Sequence, residues 1–312
     1  MDDTGNVTAG NATFINGKSL IDIQEMIDEA LRSADGADQQ AAKDLRKLAT
    51  LATQATNAKE LDVLSEQNSI TKDAIAMYQA MVPPQGTRPD AVAAWWNSLT
   101  SAEQTALENA VPLSLYHLNG IPDSVKSQLS GNGPVNRMTV VQYAEENYGN
   151  TSLDWSSIGD DCTIFASDAL KAAGLPTTDS WDASGDIFNI FHGFAPDSHS
   201  STPSWTVAQQ LHNYLTADQP GGTNGPVGHE VPTSQAKPGD VIFFETDPNN
   251  TVERDGPNTI FHTAIVTAVL PNGDVLYTQH SDGYENLSLA GRQEFLRESY
   301  GPNQPVIVQL GS

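Results

Sequence analysis

Cysteine is nearly absent from this 312-residue chain: Cys162 stands alone. An intramolecular disulfide is therefore excluded. Basic residues are scarce as well, 15 against 39 acidic ones, for a formal net charge of -24. The imbalance deepens after residue 137, where 22 acidic residues face only five basic ones. Phosphate backbones and anionic membrane surfaces are repelled by such a chain, so no nucleic-acid partner is expected. No apolar run approaches the roughly 20 residues that span a bilayer, so no integral membrane segment is expected. The opening Met1-Asp2-Asp3-Thr4-Gly5 has neither the basic region nor the apolar core of a signal peptide. That predicts a protein that is intracellular or exported without a cleaved leader.

Hydrophobic residues make up 38% of the chain and charged residues 17%, a balance that suits a folded protein. The length exceeds one small core and predicts two units. Residues 1–18 are polar and rich in Gly and Asn, and read as a disordered tail. Residues 19–130 read as a separate all-α helical domain. Its stripes are Leu20, Ile23, Ile27, Ala30 and Leu31, then Leu45, Leu48, Leu51, Ala52 and Ala55, with a third helix near 59–81. Ser130-Gly131-Asn132-Gly133-Pro134 reads as a linker. Residues 135–312 read as an α+β domain. Helices come first, at Met138–Tyr148, from Cys162 onward and at Thr206–Leu215. A Gly/Pro-rich loop covers 219–239, and strands follow at Asp240–Phe244, His262–Leu270, Val275–His280 and Pro305–Leu310. Pro271-Asn272-Gly273-Asp274 is the tight turn between the second and third strands.

Within the first half, Trp95-Trp96 precede Leu99-Thr100-Ser101-Ala102-Glu103-Gln104. Thr100 and Glu103 have the spacing of a capping box. Leu118-Asn119-Gly120-Ile121-Pro122 reads as a turn. This WW–LT–EQ–LNGIP run resembles a module common in actinobacterial proteins, where it follows a WXG-like helical region and precedes a variable effector domain. The resemblance implies an actinobacterial source and type VII-like secretion, but no reaction.

Chemistry concentrates after Asp160. A helix opens at Asp161-Cys162-Thr163, with Phe165, Ala169 and Leu170 toward the core and Gly174-Leu175-Pro176 as its stop. A lone cysteine is more often an inert buried side chain than a nucleophile. In the first turn of a helix, however, the dipole and the backbone N–H groups favour thiolate and supply half of an oxyanion hole. Asp161 is expected to cap that helix. His262 opens a strand and is the expected general base. Across the hairpin, Gln279 and His280 point to opposite faces, so only one of them can meet His262. Tyr148, Ser156 and Ser157 are candidates for the second oxyanion donor. Trp181 and Trp205 suit either a substrate groove or the core. His192, His199, His212 and His229 show no ligand spacing, so neither metal nor cofactor is expected.

The ordered set Asp161-Cys162-Thr163-x-Phe165-x-Ser167, Ser204-Trp205, Gly239-Asp240-Val241-Ile242, His262-x-Ala264-Ile265-Val266 and Gln279-His280-Ser281 resembles the putative amidase domain family of Gram-positive bacteria. That family is similar to the NlpC-type and CHAP branches of the papain-like superfamily. The resemblance covers roughly residues 135–290. It implies a papain-like fold, in which the helix carrying the nucleophile packs on an antiparallel sheet. It also implies a Cys162–His262 pair. In CHAP-like members the orienting polar residue falls on Gln279; in NlpC-type members the orienter is often His, which keeps His280 as the alternative third member. Ile164 and Asp168 stand where Asn and Gln are common.

The expected function is a cysteine amidase or peptidase that cleaves an amide of peptidoglycan, in the stem peptide or at the muramoyl–peptide junction. One alternative is a secreted effector or toxin that deamidates or cleaves a protein, with an immunity or secretion partner. Another is a non-enzymatic, secretion-associated structural protein. The resemblance implies a secreted or wall-associated location reached without a signal peptide; a cytoplasmic one is the alternative.

Overall fold

Runs of β-branched and aromatic residues after position 227 build one antiparallel sheet, and the helices before it supply the cover. The computed structural model describes residues 7–9, 12–14, 71–150, 161–183, 201–217, 227–250, 256–280 and 283–310. The chain divides into two units, Met1–Ser65 and Glu66–Ser312. In the first, β1 (Val7–Ala9) and β2 (Ala12–Phe14) pair antiparallel, with Val7 opposite Phe14. Two short strands thus stand inside the stretch read as a loose tail. The helices expected over 20–31 and 39–58, and the first part of that over 59–81, lie outside the described residues.

The first element described in the second unit is helix α1 (71–81). Next come α2 (Pro89–Ser98), α3 (Ser101–Ala110), α4 (Pro112–Tyr116), α5 (Asp123–Ser130) and α6 (Arg137–Asn147). The capping box forms as expected: Glu103 N donates to Thr100 Oγ1, and Thr100 N donates to Glu103 Oε2 at 2.7 Å. Gly120 has φ +103°, and a Cβ there would run into the backbone of Pro89, so the LNGIP turn closes against the start of the Trp helix. Then follow α7 (Cys162–Ala172), α8 (Pro203–Thr206) and α9 (Ala208–Thr216). The expected helix over 206–215 is broken at Val207, whose φ of -120° and ψ of 121° are extended.

The strands are β3 (Gly228–Val231), β4 (Val241–Thr246), β5 (Ile260–Val269), β6 (Val275–Gln279), β7 (Tyr284–Ser288) and β8 (Asn303–Leu310). Helix α10 (Leu289–Tyr300) joins β7 to β8. The sheet order is β3-β8-β4-β5-β6-β7, and every pairing is antiparallel. Three of these elements have little signature in the sequence. β3 lies inside the expected loop, β7 is short and polar at its start, and α10 carries Gly291 in its first turn, where glycine weakens a helical signal.

The boundary expected at 130–135 is not a domain boundary. Val92, Trp96, Leu107, Val111, Leu115 and Leu129 share one core with Met138 and Val141 of α6 and with Ala268 and Leu276 of the sheet. The helices described between 71 and 130 therefore belong to the same unit as the sheet. Their apolar stripes look self-sufficient in sequence because a stripe shows that a face is buried and not what buries it. A second core joins α6, α7, α8 and α9 to Val241, Phe243, Ile265 and Val308. Between the two cores, Gly239 turns with φ +91° against Arg137, whose guanidinium donates to Pro238 O at 2.7 Å and lies 3.4 Å from Asp240. Burial pushes the Asp240 carboxyl up to about 6, although Arg137 pulls the other way.

Candidate active site

α7 begins at Cys162 and is apolar almost all round: Ile164, Phe165, Ala166, Ala169 and Leu170 have no exposed surface. Such burial marks a central helix. It lies among α6, α8, α9 and β5. Cys162 is 7% exposed, and its Sγ lies 3.7 Å from Thr163 Oγ1.

Asp161 does not cap α7 with its side chain. Its carboxylate turns inward, and His280 Nδ1 donates to Oδ2 at 2.7 Å. This corrects the expected capping role. A carboxylate held in the interior needs a hydrogen-bond partner there, and the His280 imidazole supplies it. The other nitrogen of His280, Nε2, lies 3.3 Å from Asn150 O, and its ring stands 5.8 Å from that of Phe165. Both ring nitrogens of His280 thus face oxygen acceptors.

His262 is the third residue of β5 and pairs with Phe244 of β4, where the register shifts by a residue. A bulge of this kind re-aims side chains. The His262 ring sits 5.6 Å from that of Phe244, and its Nε2 lies 3.1 Å from Gln279 Oε1. The β5–β6 register sets Ile265 opposite Thr278 and Val266 opposite Tyr277. Carried one step on, it places Gln279 diagonal to His262 on one face and turns His280 to the other. Of the two, Gln279 is bonded to the His262 ring, while its neighbour holds the residue before Cys162.

One member of this group has no clear mark in the sequence. Arg292 of α10, 4% exposed, reaches Gln279 Oε1 at 3.2 Å and the Tyr277 hydroxyl at 3.1 Å through Nη1. The signal available is Ser288, whose Oγ accepts from Gly291 N at 2.8 Å as an N-cap. It announces a helix, but not which of its side chains points inward.

Tyr148 follows the last residue of α6, and its carbonyl lies 3.2 Å from where a Cβ on Gly283 would stand. Its backbone therefore borders the turn after His280. Ser156 and Ser157 lie outside the described residues. Trp181 and Trp205 do not line a groove, because neither has any exposed surface. Their rings pack at 4.6 Å, tilted by 33°, and Trp181 stacks on Tyr214 at 5.6 Å. Ser167 of α7 ties them together, accepting from Trp181 Nε1 and donating to Trp205 O. Their large apolar area is spent holding α7 against α8 and α9. Among the described residues, no three His, Cys, Asp or Glu side chains gather as a metal-ligating group, and no helix is long and apolar enough to cross a membrane.

Over 132 residues the chain is 29% identical to the uncharacterized protein YhbB of Bacillus subtilis; the match covers 42% of this chain and 37% of that protein. No solved structure matches. Residues 134–297 match the family described as a putative amidase domain. That stretch is more than half of the chain and contains α7, β5, β6 and Arg292; the chain belongs to this family, whose description implies hydrolysis of an amide bond.

Proposed function

We propose that this protein is a papain-like cysteine amidohydrolase with Cys162 as nucleophile, His262 as general base and Gln279 as the residue that orients the base. One observation carries the reading: His262 is bonded through Nε2 to Gln279, on the strand against which the helix of Cys162 packs. Membership of an amidase family supports it. His280 suits the base less well, since both its nitrogens face acceptors.

In this reading His262 takes the thiol proton through Nδ1. The Cys162 thiolate attacks the amide carbonyl carbon and a C–S bond forms. Backbone N–H groups of the first turn of α7 steady the oxyanion, with a second donor from the Tyr148, Ser156, Ser157 region. His262 returns the proton to the nitrogen as the C–N bond breaks, releasing the amine. Water, deprotonated by His262, then cleaves the thioester to a carboxylic acid and restores the thiol.

The proposed substrate is peptidoglycan, at a stem-peptide or muramoyl–peptide amide, with the protein secreted or wall-associated. The net charge of -24 favours a second reading, a secreted effector that cleaves or deamidates a protein, because anionic cell walls repel such a chain. Purified peptidoglycan digested with the protein beside its Cys162→Ala variant, followed by mass spectrometry, tests the first. New termini are expected from the unsubstituted protein alone. Intact wall with both would eliminate that substrate. Labelling of Cys162 by iodoacetamide only after denaturation would eliminate the nucleophile.

A further inference from the structure

We infer that Arg292 sets the orientation of the Gln279 amide and, through it, the tautomer of His262. The inference rests on the proposed role of His262 as base and assigns a positioning residue to it. A guanidinium carries donors and no acceptor. The Gln279 atom 3.2 Å from Arg292 Nη1 must therefore be the amide oxygen, not the nitrogen. The same oxygen lies 3.1 Å from His262 Nε2. An amide oxygen cannot donate, so Nε2 carries a proton, and in the neutral ring Nδ1 carries the lone pair. Nδ1 is the nitrogen that would take the proton of a thiol.

Without a donor at position 292, the requirement that the oxygen face Arg292 is lost. Turned over, Gln279 presents its NH2 to His262, Nε2 becomes the acceptor and Nδ1 keeps the proton. The base would then face its substrate already protonated at the working nitrogen. Tyr277 holds Arg292 at 3.1 Å, so the guanidinium is anchored independently of the amide it orients. Its own charge arrives from α10, an element outside the Cys–helix and His–strand pattern.

The test reads the tautomer directly. Full-length Cys162→Ser protein, labelled with 15N-histidine, is examined by long-range 1H–15N correlation at pH 8, with His262→Gln used to assign the ring. The Nε2–H form is expected. In the same background Arg292→Met should give a mixture with the Nδ1–H form, and Arg292→Lys, which keeps a donor, should restore the single form. If Arg292→Met does not fold, Arg292→Gln, which can accept from a turned amide, is read in its place. With Cys162 restored, Arg292→Met should slow iodoacetamide labelling at pH 7 by about tenfold or more, because the wrong tautomer removes the base. An Nδ1–H ring in the Cys162→Ser parent, or an unchanged tautomer in the folded Arg292 variant, overturns the inference. Labelling unaffected by His262→Ala, with the tautomer shift still present, instead overturns the role of His262 as base and leaves the Arg292 effect standing.

Discussion

His280 and Asp161, 119 positions apart, meet through Nδ1 and Oδ2 at 2.7 Å in the interior. The residue before His280 holds His262 instead. Two consecutive residues of one strand end thus serve two tasks: one steadies the start of the helix of Cys162, the other faces the imidazole on β5. The division follows from side-chain alternation alone.

Substitutions at the two positions should accordingly separate stability from turnover. His280→Ala leaves a buried carboxylate without its ring partner and should cost about 3 kcal/mol of stability, read as a lowered denaturant midpoint. Gln279→Ala should lower kcat about 10–1000-fold if Gln279 orients the base, since an orienter fixes geometry without carrying the proton. It should lower the midpoint less than His280→Ala does, because Arg292 keeps its bond to Tyr277. A larger stability loss at 279 than at 280 would reverse the assignment.

Truncation tests the shared core. A chain beginning at Glu66 should keep its cooperative unfolding, since 66–312 is a unit by itself. A chain beginning at Val135 strips the cover from Met138, Val141, Ala268 and Leu276. At about 1.5–3 kcal/mol for each large side chain, that loss is comparable with the whole stability of a domain. It should be aggregated or rapidly cut by protease. Native-like circular dichroism and protease resistance from the shorter chain would mean that the N-terminal helices are dispensable.

Gly239→Ala should be severe, because this turn is buried against Arg137. A Cβ there would stand 2.6 Å from Arg137 Cβ and 2.7 Å from its carbonyl oxygen, on a backbone with φ +91°. Left-handed strain and the clash together should cost about 2–4 kcal/mol. Thermal melts beside Gly273→Ala, which has φ +87° but nothing within 4 Å, separate the two contributions.

Glu145 of α6 gives a pH dependence with a defined sign. Burial, then the nearby Glu285 and Glu146, raise its carboxyl to about 7 from an ordinary value of 4.5. The folded protein therefore holds the proton more tightly than the unfolded chain, and stability from this group falls as pH rises from 4.5 to 7. Glu145→Gln should stabilise at pH 8 by on the order of 1 kcal/mol after solvent screening. It should do nothing measurable at pH 4. Equal effects at both values would show that the gain is not electrostatic.

Much of the candidate site is legible in the sequence because its signals are local. A polar stretch before an apolar helix marks the start at Cys162, a run of β-branched residues marks the strand of His262, and Pro-Asn-Gly-Asp marks the turn to Gln279. Alternation along the strand is enough to send Gln279 and His280 to opposite faces. What the tertiary structure decided was partnership. Asp161 looks like a cap because Asp before a helix often is one, yet its partner comes from 119 residues away. Trp181 and Trp205 carry no sequence mark that tells core from groove, since an aromatic ring serves both and only burial distinguishes them. Arg292 has no mark in the sequence that sets it apart, and it lies buried against Gln279. Periodicity reports which face of an element is hidden. Which distant side chain hides it depends on how the elements pack, and short-range pattern carries no information about that.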